Sequence, residues 1–280
     1  MVSAEVGVES QLRLCLLAEK DLSTLDLWEF LCAGEDGMNK VKDLDEVMER
    51  VHDGMTILMG GFNGICAPIR CIDRLVKSGV KDITLISVTC GYPGGGFDLA
   101  PLFVNKQVKK VITSHIGTSP EAQKAFKNGE LDVEYYPMGI WMEKIRAGGY
   151  GLGGVLSPIG PGTVLEKGKQ KLTLEGREYL VEMPLRAEIA FIKGFRADRM
   201  GNVQHRMVSP NTNNCVAAAA DYTVVEVNEI VDVGKIEPER VGIPGVFVKA
   251  VVQGNSMEDH CRIYEDLWVR TGNLRPKEAN

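Results

Sequence analysis

Asp53-Gly54-Met55-Thr56-Ile57-Leu58-Met59-Gly60-Gly61-Phe62-Asn63-Gly64-Ile65-Cys66-Ala67-Pro68 decides the fold of this chain. The apolar run Thr56 to Met59, stopped by Gly60-Gly61, reads as a buried strand entering a tight turn. Pro68 suits the first turn of a helix. Ile69, Ile72, Leu75 and Val76 then share one helical face, and Gly79 suits the residue after the helix end. Upstream, Leu44, Val47, Met48 and Val51 mark a short amphipathic helix.

Downstream the rhythm repeats, with strands expected over Ile83–Ser87 and Val108–Thr113. Ser119-Pro120-Glu121 supplies an N-cap, a first-turn proline and an acid that complements the helix dipole, and Gly129 terminates that helix. Leu131, Val133 and Tyr135 alternate as a strand, and Ile140 to Ala147 reads as helix. Such alternation calls for an α/β fold, an open, mostly parallel sheet with helices on both faces. Lys171 to Met183 breaks the pattern as an inserted β-hairpin around Glu175-Gly176, before buried strands at Ala187–Lys193 and Tyr222–Val227.

One domain is expected over residues 38–254, with a charged C-terminal tail over 255–280. Residues 1–37 lack the alternation, apart from a short helical run at Gln11 to Ala18. Met38 opens a second start, and Gly34-Glu35-Asp36-Gly37 is compatible with a purine-rich ribosome-binding stretch. The segment therefore reads either as lying ahead of a native start at Met38 or as an arm that packs on a partner.

Of the 280 residues, 44% are hydrophobic and 25% charged, as in ordinary globular domains, which argues against disorder and disulfide scaffolds. With 32 Lys plus Arg against 38 Asp plus Glu, the net charge of -6 gives no global field for nucleic acid or anionic membrane. The apolar runs are too short for a membrane helix, and the acidic start is unlike a secretory signal. Seven cysteines without a C-x-x-C pair argue for free thiols in a reducing compartment, so the expected location is the cytoplasm. No metal site is indicated.

Glycines let a ligand approach the backbone, and a helix N-terminus favours an anion, so Gly60 to Pro68 is a candidate anion site. It lacks the spacing of a dinucleotide fingerprint or P-loop, and the same residues equally serve a structural turn. Gly91-Tyr92-Pro93-Gly94-Gly95-Gly96 and Pro137-Met138-Gly139 also follow strands, so three loops are expected on one rim. The run Gly148 to Gly154 reads as a further flexible element or a solvated connection. Cys66 and Cys90 read as inert thiols rather than nucleophiles, His52, His115, His205 and His260 show no metal-ligand spacing, and Lys106, Lys109, Lys110, Lys144 and Arg146 read as solvated charges.

The opening stretch resembles the signature of class I CoA-transferases: Asp-Gly, apolar residues, Gly-Gly-Phe, then Gly-x-Pro. The blocks SGVKDITLIS (78–87), VNKQVKKVITSHIGTSPEAQKAF (104–126), GELDVEYYPMG (129–139), EKIRAGGYGLGGVLSPIGPGTVLEKGKQ (143–170), LVEMPLRAEIAFIKGFRADRMGNV (180–203) and AADYTVVEVNEIVDVG (219–234) extend it over about Met38 to Gln253. They are similar to the A subunit of 3-oxoacid and acetoacetate CoA-transferases. The resemblance implies ping-pong transfer of CoA between carboxylic acids through a glutamyl-CoA thioester. It places that glutamate on a B subunit, in a Ser-Glu-Asn-Gly-like motif absent here, so this chain carries no catalytic residue of its own. It further implies an α2β2 assembly, an acyl-CoA thioester as substrate and no permanently bound cofactor.

Carried onto this sequence, the substrate and CoA site comprises Gly60, Gly61, Phe62, Asn63, Gly64, Val88, Thr89, Cys90, Met138, Gly139, Asn211 and Asn213. Three departures stand out. Cys66 replaces a signature glycine, Met138 replaces a glutamine that faces the acyl group, and Ser87-Val88-Thr89-Cys90 lacks an asparagine. Loss of amide donors implies a more apolar pocket and an acid other than plain acetoacetate or succinate. Thioester hydrolysis on the same fold and a non-catalytic module that binds sugar phosphate or CoA are the alternative readings.

Overall fold

The computed structural model describes residues 39–275. The readings of residues 1–37 as lying ahead of a native start at Met38 or as a packing arm, and of a helix at 11–18, lie outside the described residues. In chain order the elements begin with α1 (Leu44–Met48), β1 (Thr56–Met59), α2 (Ile69–Ser78), β2 (Ile83–Ser87), α3 (Ala100–Val104), β3 (Val108–Thr113), α4 (Pro120–Lys127), β4 (Asp132–Tyr135) and α5 (Met138–Gly149). They continue through β5 (Val155–Ser157), β6 (Lys171–Leu174), β7 (Arg177–Glu182), β8 (Ala187–Asp198), β9 (Val203–Gln204), α6 (Asn213–Ala217), β10 (Ala220–Val231), β11 (Val241–Ile243), β12 (Ala250–Gln253) and α7 (Met257–Arg270).

Successive residues of a strand face opposite sides of a sheet, so an all-apolar strand must be covered twice. Ile57 and Met59 of β1 enter one core with Ile72 and Leu75 of α2, while Leu58 enters a second core with Trp141 and Ile145 of α5. Phe191 and Ile192 of β8 divide the same way. The parallel strands run β12-β10-β8-β1-β2-β3-β4, and β9 and β11 add an antiparallel margin beside the far half of β8. The α/β expectation, with helices on both faces, is what the structure shows.

The inserted hairpin is also present. Leu174 pairs with Arg177 across Glu175-Gly176, whose φ values of 50° and 76° are those of a two-residue type I′ turn, and β5 completes a separate sheet in the order β5-β7-β6.

Four local expectations need correction. Met138 and Gly139 form the first turn of α5, not a loop. Gly148 and Gly149 end the same helix instead of forming a flexible element, and the reason is packing: a Cβ on Gly148 would lie 2.0 Å from the Leu185 carbonyl oxygen. Lys144 is buried against Glu182 at 3.4 Å rather than solvated, while Lys106 and Lys110 pair with Glu130 and Glu134 at the surface. Residues 257–270, expected as part of a charged tail, form α7. Ser256 caps it by accepting the Asp259 N–H, and its inner face buries Tyr264 and Leu267. Among the described residues no helix is long and apolar enough to cross a membrane.

Candidate functional site

From β1 the chain proceeds to β2, β3 and β4 on one side, whereas β8, β10 and β12 lie on the other. The carboxyl end of β1 is therefore the switch point of the sheet, the place where open α/β sheets form a ligand crevice. Residues 60–68 occupy it.

These residues fold as a small hairpin. Phe62 and Ile65 exchange both backbone hydrogen bonds, at 3.1 and 2.9 Å, around Asn63 (φ 49°) and Gly64 (φ 74°). Asn-Gly is suited to this conformation because both central residues need positive φ. The neighbouring elements then tie the turn down. Thr89 Oγ1 accepts the Asn63 N–H at 3.0 Å, Thr212 Oγ1 donates to the Gly61 carbonyl at 2.9 Å, and Tyr264 of α7 donates its hydroxyl to the Gly64 carbonyl. Asn211 Nδ2 donates to Ile65 O at 3.3 Å, and Asn213 Nδ2 donates to Cys66 O at 3.2 Å. Asn213 Oδ1 also accepts the Lys193 N–H at 3.0 Å, in the space a side chain at Gly60 would fill, since a Cβ there would sit 2.1 Å from it.

The helix end behind the turn is not an open anion site, as the sequence suggested. Glu226 Oε2 already accepts the Cys71 N–H at 3.1 Å in the first turn of α2, and its other oxygen lies 3.4 Å from Lys193 Nζ. A buried carboxylate from β10 thus occupies the position that a helix N-terminus offers to an anion.

Asp98, in the segment before α3, has left-handed backbone (φ 58°) and is buried. Burial pushes its carboxyl up to about 7, although the Gly64 N–H favours its charged form, and Oδ1 has no hydrogen-bond partner among the described residues. Burial raises the Cys66 thiol and pushes Cys90 up to about 12, so neither is poised as a thiolate.

The twelve expected site residues therefore separate. Gly60 to Gly64, Thr89, Asn211 and Asn213 meet at the turn, where the two asparagines tie backbone instead of presenting free amides. The side chains of Val88 and Cys90 are fully buried in the two cores, so of these positions only backbone faces the rim beside Thr89. Met138, 43% exposed, and Gly139 follow β4, three strand spacings or about 14 Å from β1, so they share its rim without joining the turn.

A groove of 480 Å3 opens beside the turn on the β8 side. Ile65 and Cys66 line one end, Lys193 to Phe195 the floor, Arg206 to Ser209 one wall, and α7 the other with Met257, His260, Cys261, Tyr264 and Trp268. None of the twelve expected residues lines it. Burial, and then the charge of Lys193, lower His260 to about 4, so its ring is neutral near pH 7. The sequence reading missed this groove because α7 had been read as tail, although Ser256-x-x-Asp259 ahead of Tyr264 and Leu267 is a capping signal followed by a helical apolar stripe.

The sheet, its switch point and the strapped turn define an open α/β protein with a fixed turn at the carboxyl rim of its strands. The chain belongs to the coenzyme A transferase family, whose match spans residues 41–254. It is 44% identical over 213 residues to the acetate CoA-transferase subunit alpha of Escherichia coli K12, covering 76% of this chain and 96% of the relative. It is 42% identical over 215 residues to the acetoacetyl-CoA:acetate/butyrate CoA transferase alpha subunit of Clostridium acetobutylicum, covering 77% and 98%. Its fold is that of the acyl-CoA transferase apoenzyme of Escherichia coli O157:H7 (TM-score 0.70, 22% identity, 78% of this chain). The chain spans about half of that structure, 47%. It also shares the fold of glutaconate coenzyme A-transferase from Acidaminococcus fermentans (TM-score 0.66, 21% identity, 84% of this chain and 90% of that one).

Proposed function

We propose that the chain is the A subunit of a heteromeric CoA-transferase that moves CoA between an acyl-CoA and a free monocarboxylic acid. The observation that carries this reading is the strapped Phe62–Ile65 turn at the switch point, in a chain that belongs to the family and is similar over 76% of its length to a CoA-transferase alpha subunit. A turn fixed by partners on four segments is preorganised, so its groups need no reordering as an acyl centre changes geometry. Neither Cys66 nor Cys90 is activated as a nucleophile, which fits transfer through a glutamyl-CoA thioester on a B subunit. The expected assembly is α2β2, with the acyl-CoA thioester as substrate.

The apolar lining of the groove beside the turn, with Met207, Val208, Met257 and Trp268, supports an acid lacking a second carboxylate or keto group, because such side chains offer no strong hydrogen bond to one. The test is a coupled assay of the assembled A and B subunits with butyryl-CoA as donor. Acetate and longer monocarboxylates should give higher kcat/KM than succinate or acetoacetate, and the reverse order contradicts the reading. Free CoA released without an acceptor acid would indicate hydrolysis instead.

A further inference from the structure

Helix α7 lies beyond residues 41–254, the span of the family match, yet it is bonded to the turn those residues carry. Besides the Tyr264 hydroxyl on Gly64, the Tyr264 ring packs edge-on against Phe97 with centroids 5.6 Å apart, and Leu267 shares a small core with Tyr92. Asn273 Nδ2 donates to Tyr92 Oη at 2.9 Å. The helix thus has a fixed seat and forms one wall of the 480 Å3 groove.

The facing wall is also held in place. Ser209 Oγ accepts the Arg206 N–H at 2.9 Å and lies 3.1 Å from His205 Nδ1. Within that wall Met207 has a φ of 52°, unusual for a side chain of its size, and is 88% exposed, with Val208 65% exposed beside it. Across the groove stand Met257 and Trp268. Single exposed apolar residues are ordinary, but here several meet around one concavity of the size that takes small molecules, roughly 300–1,000 Å3. Methionines suit flexible chains of varying length.

Polarity is distributed unevenly along the groove. The Lys193 ammonium, 3% exposed and paired with Glu226, lies in the floor, and the Arg206 guanidinium lies 5.5 Å from the Phe195 ring centre. His260 is uncharged near pH 7, and Glu265 is the acid of the α7 wall. Ile65 and Cys66, at the end of the turn, form one end of the groove, so its lining begins where the turn stops. With Lys193 committed to Glu226, apolar walls beside the Arg206 guanidinium match an aliphatic chain that carries a single anionic group.

We propose that this groove holds the aliphatic tail of the acyl group, with α7 as its outer wall, so that the preferred acids are straight-chain monocarboxylates longer than acetate. This rests on the A-subunit reading above. Val208→Trp and Cys261→Trp fill the groove from exposed positions, and Arg262→Ala alters α7 outside the lining. With the cognate B subunit and butyryl-CoA as donor, the wild-type complex should show a higher kcat/KM for hexanoate than for acetate. Each tryptophan should lower that hexanoate-to-acetate ratio at least tenfold, and Arg262→Ala should leave it unchanged.

A wild-type ratio below one, or tryptophan variants that keep the wild-type ratio, would overturn the inference while leaving the A-subunit reading intact. Tryptophan variants that no longer co-elute with the B subunit would also overturn it, by making the groove a subunit interface. Absence of transfer to every acid by the wild-type complex would overturn the A-subunit reading, and this inference with it.

Discussion

Asp98 is an acid buried beneath the turn it helps to hold, and its titration makes the turn's environment measurable. Its folded pKa of about 7 lies above the ordinary 3.8, so between roughly pH 4 and 7 the native state binds more protons than the unfolded state. The sign follows: its contribution is fully present below the unfolded value and is lost as pH rises through about 7. Asp98→Asn keeps the shape without the charge and should raise stability at pH 8 by about 1–4 kcal/mol. The advantage should fade toward pH 4, and thermal melts of the two proteins across this range check it. Equal melting temperatures at pH 8 would contradict the burial argument.

At the scale of elements, the turn is governed by whatever straps it, and α7 is the strap outside the family match. Truncation after Gly254 removes the Tyr264 hydroxyl from Gly64 and uncovers Tyr92. Local opening is set by such contacts, so the Ile65 amide should exchange with solvent about tenfold faster or more, while the Ile57 amide in β1 should not change. Hydrogen exchange by NMR or mass spectrometry reads this, and unchanged protection at Ile65 would show that the other straps suffice.

The same elements show where sequence reading succeeds. β1, α2 and the Glu175-Gly176 hairpin were legible because local rules coincide there: an apolar run, a helical stripe ending at Gly79, and a turn needing two positive φ values. The candidate site was legible as a turn and not as a network. Nothing local tells that Asn213 reaches Cys66 or that Glu226 closes the α2 terminus, because those bonds span 147 and 155 residues. Val88 and Cys90 resembled site residues by position, but beyond the end of β2 their side chains turn into the cores on opposite faces of the sheet. The error at α7 was of another kind. Charge on its outer face hid a stripe that Tyr264 and Leu267 had already marked.

At the scale of the whole molecule, the described residues build a nine-stranded sheet with a core on each face and a strapped turn at the switch point, and in the proposed reading the chain lacks the nucleophile of its reaction. The account's central claim is a division of labour, in which this chain shapes the acyl site and a B subunit forms the covalent bond to CoA. Trapping tests it most directly. The assembled subunits are incubated with butyryl-CoA without acceptor acid, the thioester is reduced with borohydride, and each chain is weighed by mass spectrometry. The account predicts a modified glutamate on the B subunit, no modification of this chain, and no trapping when this chain is incubated alone. A thioester on this chain, or CoA transfer by it in isolation, would contradict the account.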